Sequence, residues 1–415
     1  MKNTYLHILG NASYSRQRAQ EERFNYLDTY DRYILSVPKA SYKLAVIGTG
    51  LMGRSHIDSI YVEGRGDAAG IYDPHLGSIQ AALKECGKFT QNVPKVYRSI
   101  DEAVSDSDID GFIISTPNNT HAQVLEKVLE AGKPVFLEKP MATTVEDAYR
   151  ITAMVRESGV PVQVGLQYRF KAMYVEAIKE ACRLGSVGDI KTISIREHRI
   201  PFLDKVGQWN KFSASSGGTL VEKCCHYFDL FNLFARSRPS RVFASGSQAA
   251  SYRDFSYKGE RSDILDNAYV IVDYENGVRA AFDLCMFVPL FYEELVICGD
   301  GGRIRAYEQE DFLSKDSFET GFEIYRGEYH PSRTCSPRYQ GAIADLGHSG
   351  ADFFAQSAFM DLIEGDGENS PTVEEGFWSV VIGAAAQESV LTGVPVDVSA
   401  FLKNNKPEVL DSSAP

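Results

Sequence analysis

Positive charge is in short supply in this chain of 415 residues: 43 lysines and arginines stand against 56 aspartates and glutamates, a formal net charge of −13. Binding nucleic acid through its phosphates needs a basic face, so this balance argues against such a partner and against docking on an anionic membrane. Long apolar runs are missing as well. Trp378 to Ala386 is among the longest, far below the roughly 20 residues that cross a bilayer. The segment Met1–Gly10 has one early cation but no sustained apolar core, so a secretory signal is not expected. Paired cysteine spacing is also lacking. The seven cysteines, at 86, 182, 224, 225, 285, 298 and 335, are odd in number and include no CxxC. They read as reduced thiols of a cytoplasmic protein rather than a disulfide framework. No internal repeat or low-complexity tract is present.

What remains is an ordinary globular composition, 44% hydrophobic and 24% charged, long enough for two domains and an arm. Residues 1–42 are polar and rich in tyrosine and arginine, with a short helix expected over Gln17–Ile34 and a linker over Val37–Ala40. From Lys43 strand-like and helical patterns alternate. Strands are expected at Leu44–Ile47, Ala68–Tyr72, Lys95–Arg98, Gly111–Ser115, Pro134–Leu137 and Pro161–Gly165. Helices are expected to begin near Met52, Leu76, Asp101, Thr120 and Val145. This β-α-β order over residues 43–165 predicts a doubly wound parallel sheet of the Rossmann, dinucleotide-binding kind.

After Gly165 the rhythm changes. Helices are expected over Ala172–Leu184 and Thr219–Ala235, with strands at Ile190–Ile195, Arg241–Ser245, Ala268–Tyr274, Val278–Phe287, Glu293–Gly299 and Arg303–Tyr307. Asn276-Gly277 and Asp300-Gly301-Gly302 are turn signals. Two closing helices are expected at Asp352–Ile363 and Val373–Thr392. Residues 166–402 thus predict an α+β domain with an open, mostly antiparallel sheet, leaving 403–415 as a tail.

Gly48-Thr49-Gly50-Leu51-Met52-Gly53 follows the first strand and opens a helix, the context that gives GxGxxG its meaning. The first glycine permits the turn, the second admits a pyrophosphate, and the third lets helix and strand pack closely. Leu51 and Met52 begin the helix whose free N–H groups face the phosphates. Asp73, twenty residues past Gly53, can accept from ribose hydroxyls and repel a 2′-phosphate. Pro74-His75-Leu76 supplies no arginine for such a phosphate, so NAD is favoured over NADP. Thr116, Pro117, Asn118 and His121, after another strand, are expected to line the same crevice, although turn formation and capping by Thr120 explain them equally well. Glu138 and Gln167, at the ends of later strands, complete the expected cofactor contacts.

Glu138-Lys139-Pro140 ends the strand Pro134–Leu137, and a lysine there faces the ligand crevice of an open α/β sheet. Its amine can exchange a proton with a substrate oxygen, and acting as base requires a lowered pKa. Glu222 and His226, four apart, are expected on one helix face beside it, with Asp229 orienting the imidazole. A dipole-stabilised glutamate with an ordinary buried histidine explains the spacing as well. A metal site is disfavoured, because the adjacent Cys224 and Cys225 diverge by about 100° on a helix. Tyr168, Arg169, Trp209 and His348 are further candidates for touching substrate. For Arg169 an inter-domain ion pair is an equal reading, and for His348 a surface loop is the plainer one.

Together these residues resemble the Gfo/Idh/MocA oxidoreductase family over roughly Lys43 to Phe401. The glycine turn matches Gly48, Gly50 and Gly53, the Glu-Lys-Pro signature matches Glu138 to Pro140, and Gly217-Gly218 with Glu222 and His226 is similar to the family's Gly-Gly…Asp-x-x-x-His stretch. The resemblance implies a nicotinamide cofactor, a carbohydrate-like substrate, Lys139 and His226 as catalytic centre, and a homo-oligomer, dimer or tetramer, built on the open sheet. Glutamate at 222 departs from the family's usual aspartate, and Gln167-Tyr168-Arg169 differs from commoner versions. The reading favoured is NAD-dependent oxidation of a secondary hydroxyl on a sugar, cyclitol or glycoside. A redox-neutral enzyme on tightly held NAD is the second reading, separated from the first by NADH release. A non-catalytic NAD-sensing regulator is the third, and the presence of Lys139 and His226 weighs against it.

Overall fold

The computed structural model describes residues 41–311, 314, 317–327 and 331–407. The expected arm helix and its linker lie outside the described residues. Six short strands, β1 (Tyr42–Ile47), β2 (Gly66–Tyr72), β3 (Lys95–Val96), β4 (Gly111–Ile114), β5 (Val135–Leu137) and β6 (Val162–Val164), form one parallel sheet in the order β3-β2-β1-β4-β5-β6. Helices cover both faces, so β4 and β5 read as continuous apolar runs, Gly-Phe-Ile-Ile and Val-Phe-Leu, buried throughout. Strand order reverses between β1 and β4. The crevice beyond their carboxyl ends is where such sheets bind ligands.

Beyond β6 the chain builds a nine-stranded sheet from β7 (Ile190–His198), β8 (Pro239–Ser247), β11 (Asn267–Tyr274), β12 (Arg279–Cys285), β13 (Leu290–Gly299), β14 (Arg303–Asp311), β15 (Glu319–Tyr325), β16 (Arg333–Cys335) and β17 (Val396–Asp397). A separate hairpin pairs β9 (Ser256–Tyr257) with β10 (Glu260–Arg261). In the large sheet only β7 and β12 run parallel, and the other neighbours are antiparallel. Both turn signals close hairpins, and Gly277 adopts φ +86° between β11 and β12. Alternation along β11 buries Ala268, Val270, Val272 and Tyr274 under the helices and exposes Tyr269 and Ile271 on the opposite face. Among the described residues no helix is long and apolar enough to cross a membrane.

Three expectations change. The helix from Ala172 runs regularly only to Ile178 and continues as a wider π turn over Lys179–Arg183. A helix over Val398–Asn405 enters the segment read as tail. The helix expected over Thr219–Ala235 is broken into Thr219–Glu222 and Cys225–Ala235, because the N–H groups of Lys223 and Cys224 both turn to the Thr219 carbonyl at 3.0 and 3.3 Å. Glu222 and His226 therefore do not share a helix face.

Candidate active site

The glycine turn is tight where it meets protein and empty where a ligand would approach. Gly48 has φ +89°, and a Cβ there would lie 2.7 Å from the Ser115 carbonyl oxygen; one on Gly53 would lie 2.1 Å from the Gly48 oxygen. A Cβ on Gly50 would meet nothing within 4 Å. Gly50 also precedes the helix Leu51–Glu63 without any side-chain cap, leaving that helix's first N–H groups available. Asp73 follows β2 and accepts from the Thr49 N–H at 2.8 Å and the His75 N–H at 2.7 Å. His75 itself accepts from the Ser78 N–H and caps the next helix. Gln167 is buried with its Oε1 unpartnered. An open cradle, a carboxylate at its rim and an orphaned amide oxygen fit a dinucleotide.

Two strand ends, a loop and the broken helix converge on Glu222. Lys139 follows β5, and its Nζ donates to the Glu222 carbonyl at 3.1 Å and lies 3.7 Å from Oε2. Asn118 Nδ2 donates to Oε2 at 2.5 Å and to the Ser216 carbonyl at 3.1 Å. Lys205 Nζ reaches Oε1 at 3.5 Å while sitting 4.3 Å above the Trp209 ring. Burial alone would raise the Glu222 pKa, but Lys139 and Lys205 outweigh it and hold the carboxylate ionised. For Lys139 burial pulls the pKa down, yet Glu222 prevails and the net direction is upward. The lowered pKa that a lysine base requires is therefore absent at Lys139 itself.

His226 is buried with Nδ1 unpartnered, its ring stacked on Tyr168 at 4.0 Å and 8°. Burial, reinforced by the ammoniums of Lys139 and Lys223, keeps the imidazole neutral, well below its ordinary pKa. His348 comes within 6.1 Å of that ring, centroid to centroid, and its Nδ1 faces Asp352 Oδ1 at 2.7 Å. Ser55, from the helix after the glycine turn, donates to the other Asp352 oxygen at 3.0 Å.

Several expected ligand contacts are internal braces instead. Two of the three Arg169 guanidinium nitrogens, Nε and Nη2, donate to Asp229 at 2.6 and 2.5 Å, and Nη2 also pairs with Glu375. Arg169 is thus committed to an ion pair, and both Asp229 oxygens are on Arg169 rather than His226. Tyr168 has its hydroxyl on Lys223 and its ring behind His226, so it supports the imidazole rather than touching substrate. Glu138 is buried with Oε1 on His56 at 2.9 Å and Oε2 on the Lys139 N–H at 3.0 Å, tying β5 to the first helix. His121 is buried with Nδ1 at 2.9 Å from the Pro140 carbonyl and Nε2 at 3.1 Å from that of Thr116, so neither nitrogen is open to cofactor. Asn118 spends its amide N–H groups on Glu222 and Ser216. The Thr120 hydroxyl turns back to Thr116 Oγ1 and the Pro117 carbonyl and caps nothing. Thr116 is half-buried and Pro117 exposed beside the cradle, as are Met52 and Leu51 respectively.

Two family models match the chain in tandem: an oxidoreductase family, NAD-binding Rossmann fold over residues 42–166, and the same family's C-terminal alpha/beta domain over 179–398. The chain belongs to the Gfo/Idh/MocA oxidoreductase family. It is 26% identical over 353 residues to inositol 2-dehydrogenase of Rhizobium meliloti (strain 1021), covering 84% of this chain and 96% of the relative. Similarity to 1,5-anhydro-D-fructose reductase of Ensifer adhaerens is 25% over 367 residues, 85% of this chain and 99% of that one. Among solved structures, levoglucosan dehydrogenase in complex with NADH and levoglucosan superposes with a TM-score of 0.71 at 20% identity, covering 86% of this chain and 99% of that one. At that identity the likeness concerns the fold.

In a Gfo/Idh/MocA chain the glutamate at 222 is a departure, and the geometry shows what its extra methylene reaches: one carboxylate oxygen for each of two lysines. Lys205 and the Ser55–Asp352–His348 chain were not legible from the sequence. Lys205 lies in an irregular stretch with Gly207 and Gln208 at φ +69° and +56°, where no periodicity reports direction.

Proposed function

We propose that this oxidoreductase uses NAD, rather than NADP, to oxidise or form a secondary hydroxyl on a sugar, cyclitol or glycoside. Gly48, Gly50, Leu51, Met52 and Gly53 would hold the pyrophosphate, Asp73 the ribose, and Gln167 the nicotinamide end. Bound there, the dinucleotide supplies the hydride acceptor or donor. One observation carries the reading: just past the carboxyl end of β5 a half-buried lysine, Lys139, lies 3.7 Å from Glu222 Oε2, and its ammonium helps keep His226, whose Nδ1 is unpartnered, neutral. Lys139 exchanges the hydroxyl proton, His226 accepts a hydrogen bond from or donates one to the same oxygen, and Glu222 fixes the lysine. His348 and Trp209 flank the space where the rest of a sugar would lie. A homo-oligomer is proposed through the uncovered sheet face, where Phe243, Tyr269 and Ile271 stand exposed.

The test is a panel of sugars, inositols and glycosides offered with NAD and with NADP, following the absorbance of the reduced cofactor. Reduction of NAD by a polyol or glycoside supports the reading. Binding of NAD with no reduction across the panel, and no interconversion of sugars, defeats it.

A further inference from the structure

We propose that Lys205 completes the proton path of this site, sharing one proton with Lys139 across the Glu222 carboxylate. The proposal rests on the reading that Lys139 handles the substrate proton, and it answers how an amine held protonated by Glu222 becomes a base. Each carboxylate oxygen faces its own lysine, Oε2 at 3.7 Å from Lys139 and Oε1 at 3.5 Å from Lys205. The first lies a few tenths of an ångström beyond hydrogen-bonding contact and the second is a long hydrogen bond, the loose geometry common at catalytic contacts before substrate binds. Of the three side chains Lys205 is the most exposed, 21% against 12% for Lys139 and 4% for Glu222. Lys205 is thus the outer end, its Nζ 4.3 Å over the Trp209 ring.

The surrounding charges leave this route open. Glu138 faces both lysines but its oxygens are taken by His56 and the Lys139 N–H. Arg199 and Cys225 face Lys139 from β7's end and the broken helix. Asp204, next to Lys205, pairs with Lys211. Burial and the neighbouring Lys139 ammonium, opposed by Glu222, push the Lys205 pKa down, whereas that of Lys139 goes up. Lys205 therefore loses its proton to solvent first. An N–H bond of the Lys139 ammonium then breaks as its proton bonds to Oε2. The carboxyl group turns, its O–H bond breaks, and the proton bonds to the free amine of Lys205. Glu222 ends as the carboxylate it began as, and Lys139 is left neutral to take the alcohol proton as hydride leaves the carbon. Reduction runs the sequence backwards.

Competitive acetylation of the cofactor-free protein with acetic anhydride over a pH series, read per peptide by mass spectrometry, titrates each lysine separately. Lys205 is expected to titrate below the surface lysines, and Lys139 to shift in K205M. Lys205 titrating with the surface lysines, or Lys139 unmoved in K205M, overturns the proposal. The second arm is the pH dependence of kcat/KM for oxidation. In both K205M and K205R the acid limb is expected to move alkaline by about one pH unit, because neither side chain accepts a proton near neutrality. A K205R profile matching the unaltered enzyme would mean a charge role alone and defeats the relay. Full activity of K139A instead overturns the reading of the site on which the relay rests.

Discussion

Two clusters of buried charge lie within this molecule, made of the same residue types and built to opposite ends. On the covered face of the large sheet, Glu197, Glu293 and Glu308 stand directly opposite one another on β7, β13 and β14. Like charges so placed repel. Lys171 closes on Glu293 at 2.6 Å and also on Glu308, Lys223 on Glu197 at 3.0 Å, and the Tyr227 hydroxyl donates to Glu293 at 2.8 Å. Of those carboxylate oxygens only Glu197 Oε2 is buried without a partner. In the cleft, Glu222 has two lysines at 3.5 and 3.7 Å, and His226 Nδ1 and Gln167 Oε1 are buried without partners. Closed, short pairs neutralise charge and serve architecture. Loose pairs beside orphaned polar atoms are poised for a ligand, because the missing bonds are ones a substrate can make.

Removing one cation from each cluster separates these roles. Lys139→Ala is expected to lower kcat by about 10²–10⁴-fold, the usual worth of a positioned proton donor or acceptor, with NAD affinity by fluorescence titration nearly unchanged. Lys171→Met is expected to leave two glutamates uncompensated and cost about 3–5 kcal/mol in urea unfolding. Equal unfolding midpoints for Lys171→Met and the unaltered protein would contradict the architectural role. A smaller effect is expected at the cradle's rim: Asp73→Ala should relax the preference for NAD over NADP by about tenfold, read from the two KM values.

The smallest effect is in stability against pH. His226 and His121 are both buried with pKa values depressed, first of all by burial. Unfolded histidines take up protons below about pH 6.5 that the folded ones refuse, so stability is complete above that pH and falls as pH drops below it. The slope is about 1.4 kcal/mol per pH unit for each imidazole. His226→Asn should remove one such contribution between pH 6.5 and 5.5, and an unchanged slope would show that imidazole to be protonated in the fold.

Much of the scaffold was legible because alternation and apolar runs are local signals. Gly-Phe-Ile-Ile at β4 is short, β-branched and apolar, as a strand buried on both faces is, and Asn276-Gly277 is a strong hairpin signal. The sheet's far edge was not legible. Strand β15, Glu-Thr-Gly-Phe-Glu-Ile-Tyr, is polar and carries a glycine, and its pairing with β14 is supplied by the partner strand rather than its own pattern. At the site, residue types were read correctly but destinations less so. Asn118, His121 and Glu138 lie at the right strand ends, yet their side chains turn inward to Glu222, to two carbonyls and to His56. A strand end places a Cα; neighbouring atoms choose the rotamer.

The amino-acid order by itself determined the family, the two layered sheets, the glycine cradle and the lysine that closes β5, since each is written in a contiguous run of residues. Only the folded molecule decided that the helix breaks at Lys223, that Glu222 faces two lysines instead of one, and that Arg169 is spent on Asp229. Those outcomes depend on side chains far apart in the chain, 83 positions for Lys139 and Glu222 and 60 for Arg169 and Asp229, and on the desolvation each group meets there. Neither distance in space nor loss of water leaves a mark in a local pattern.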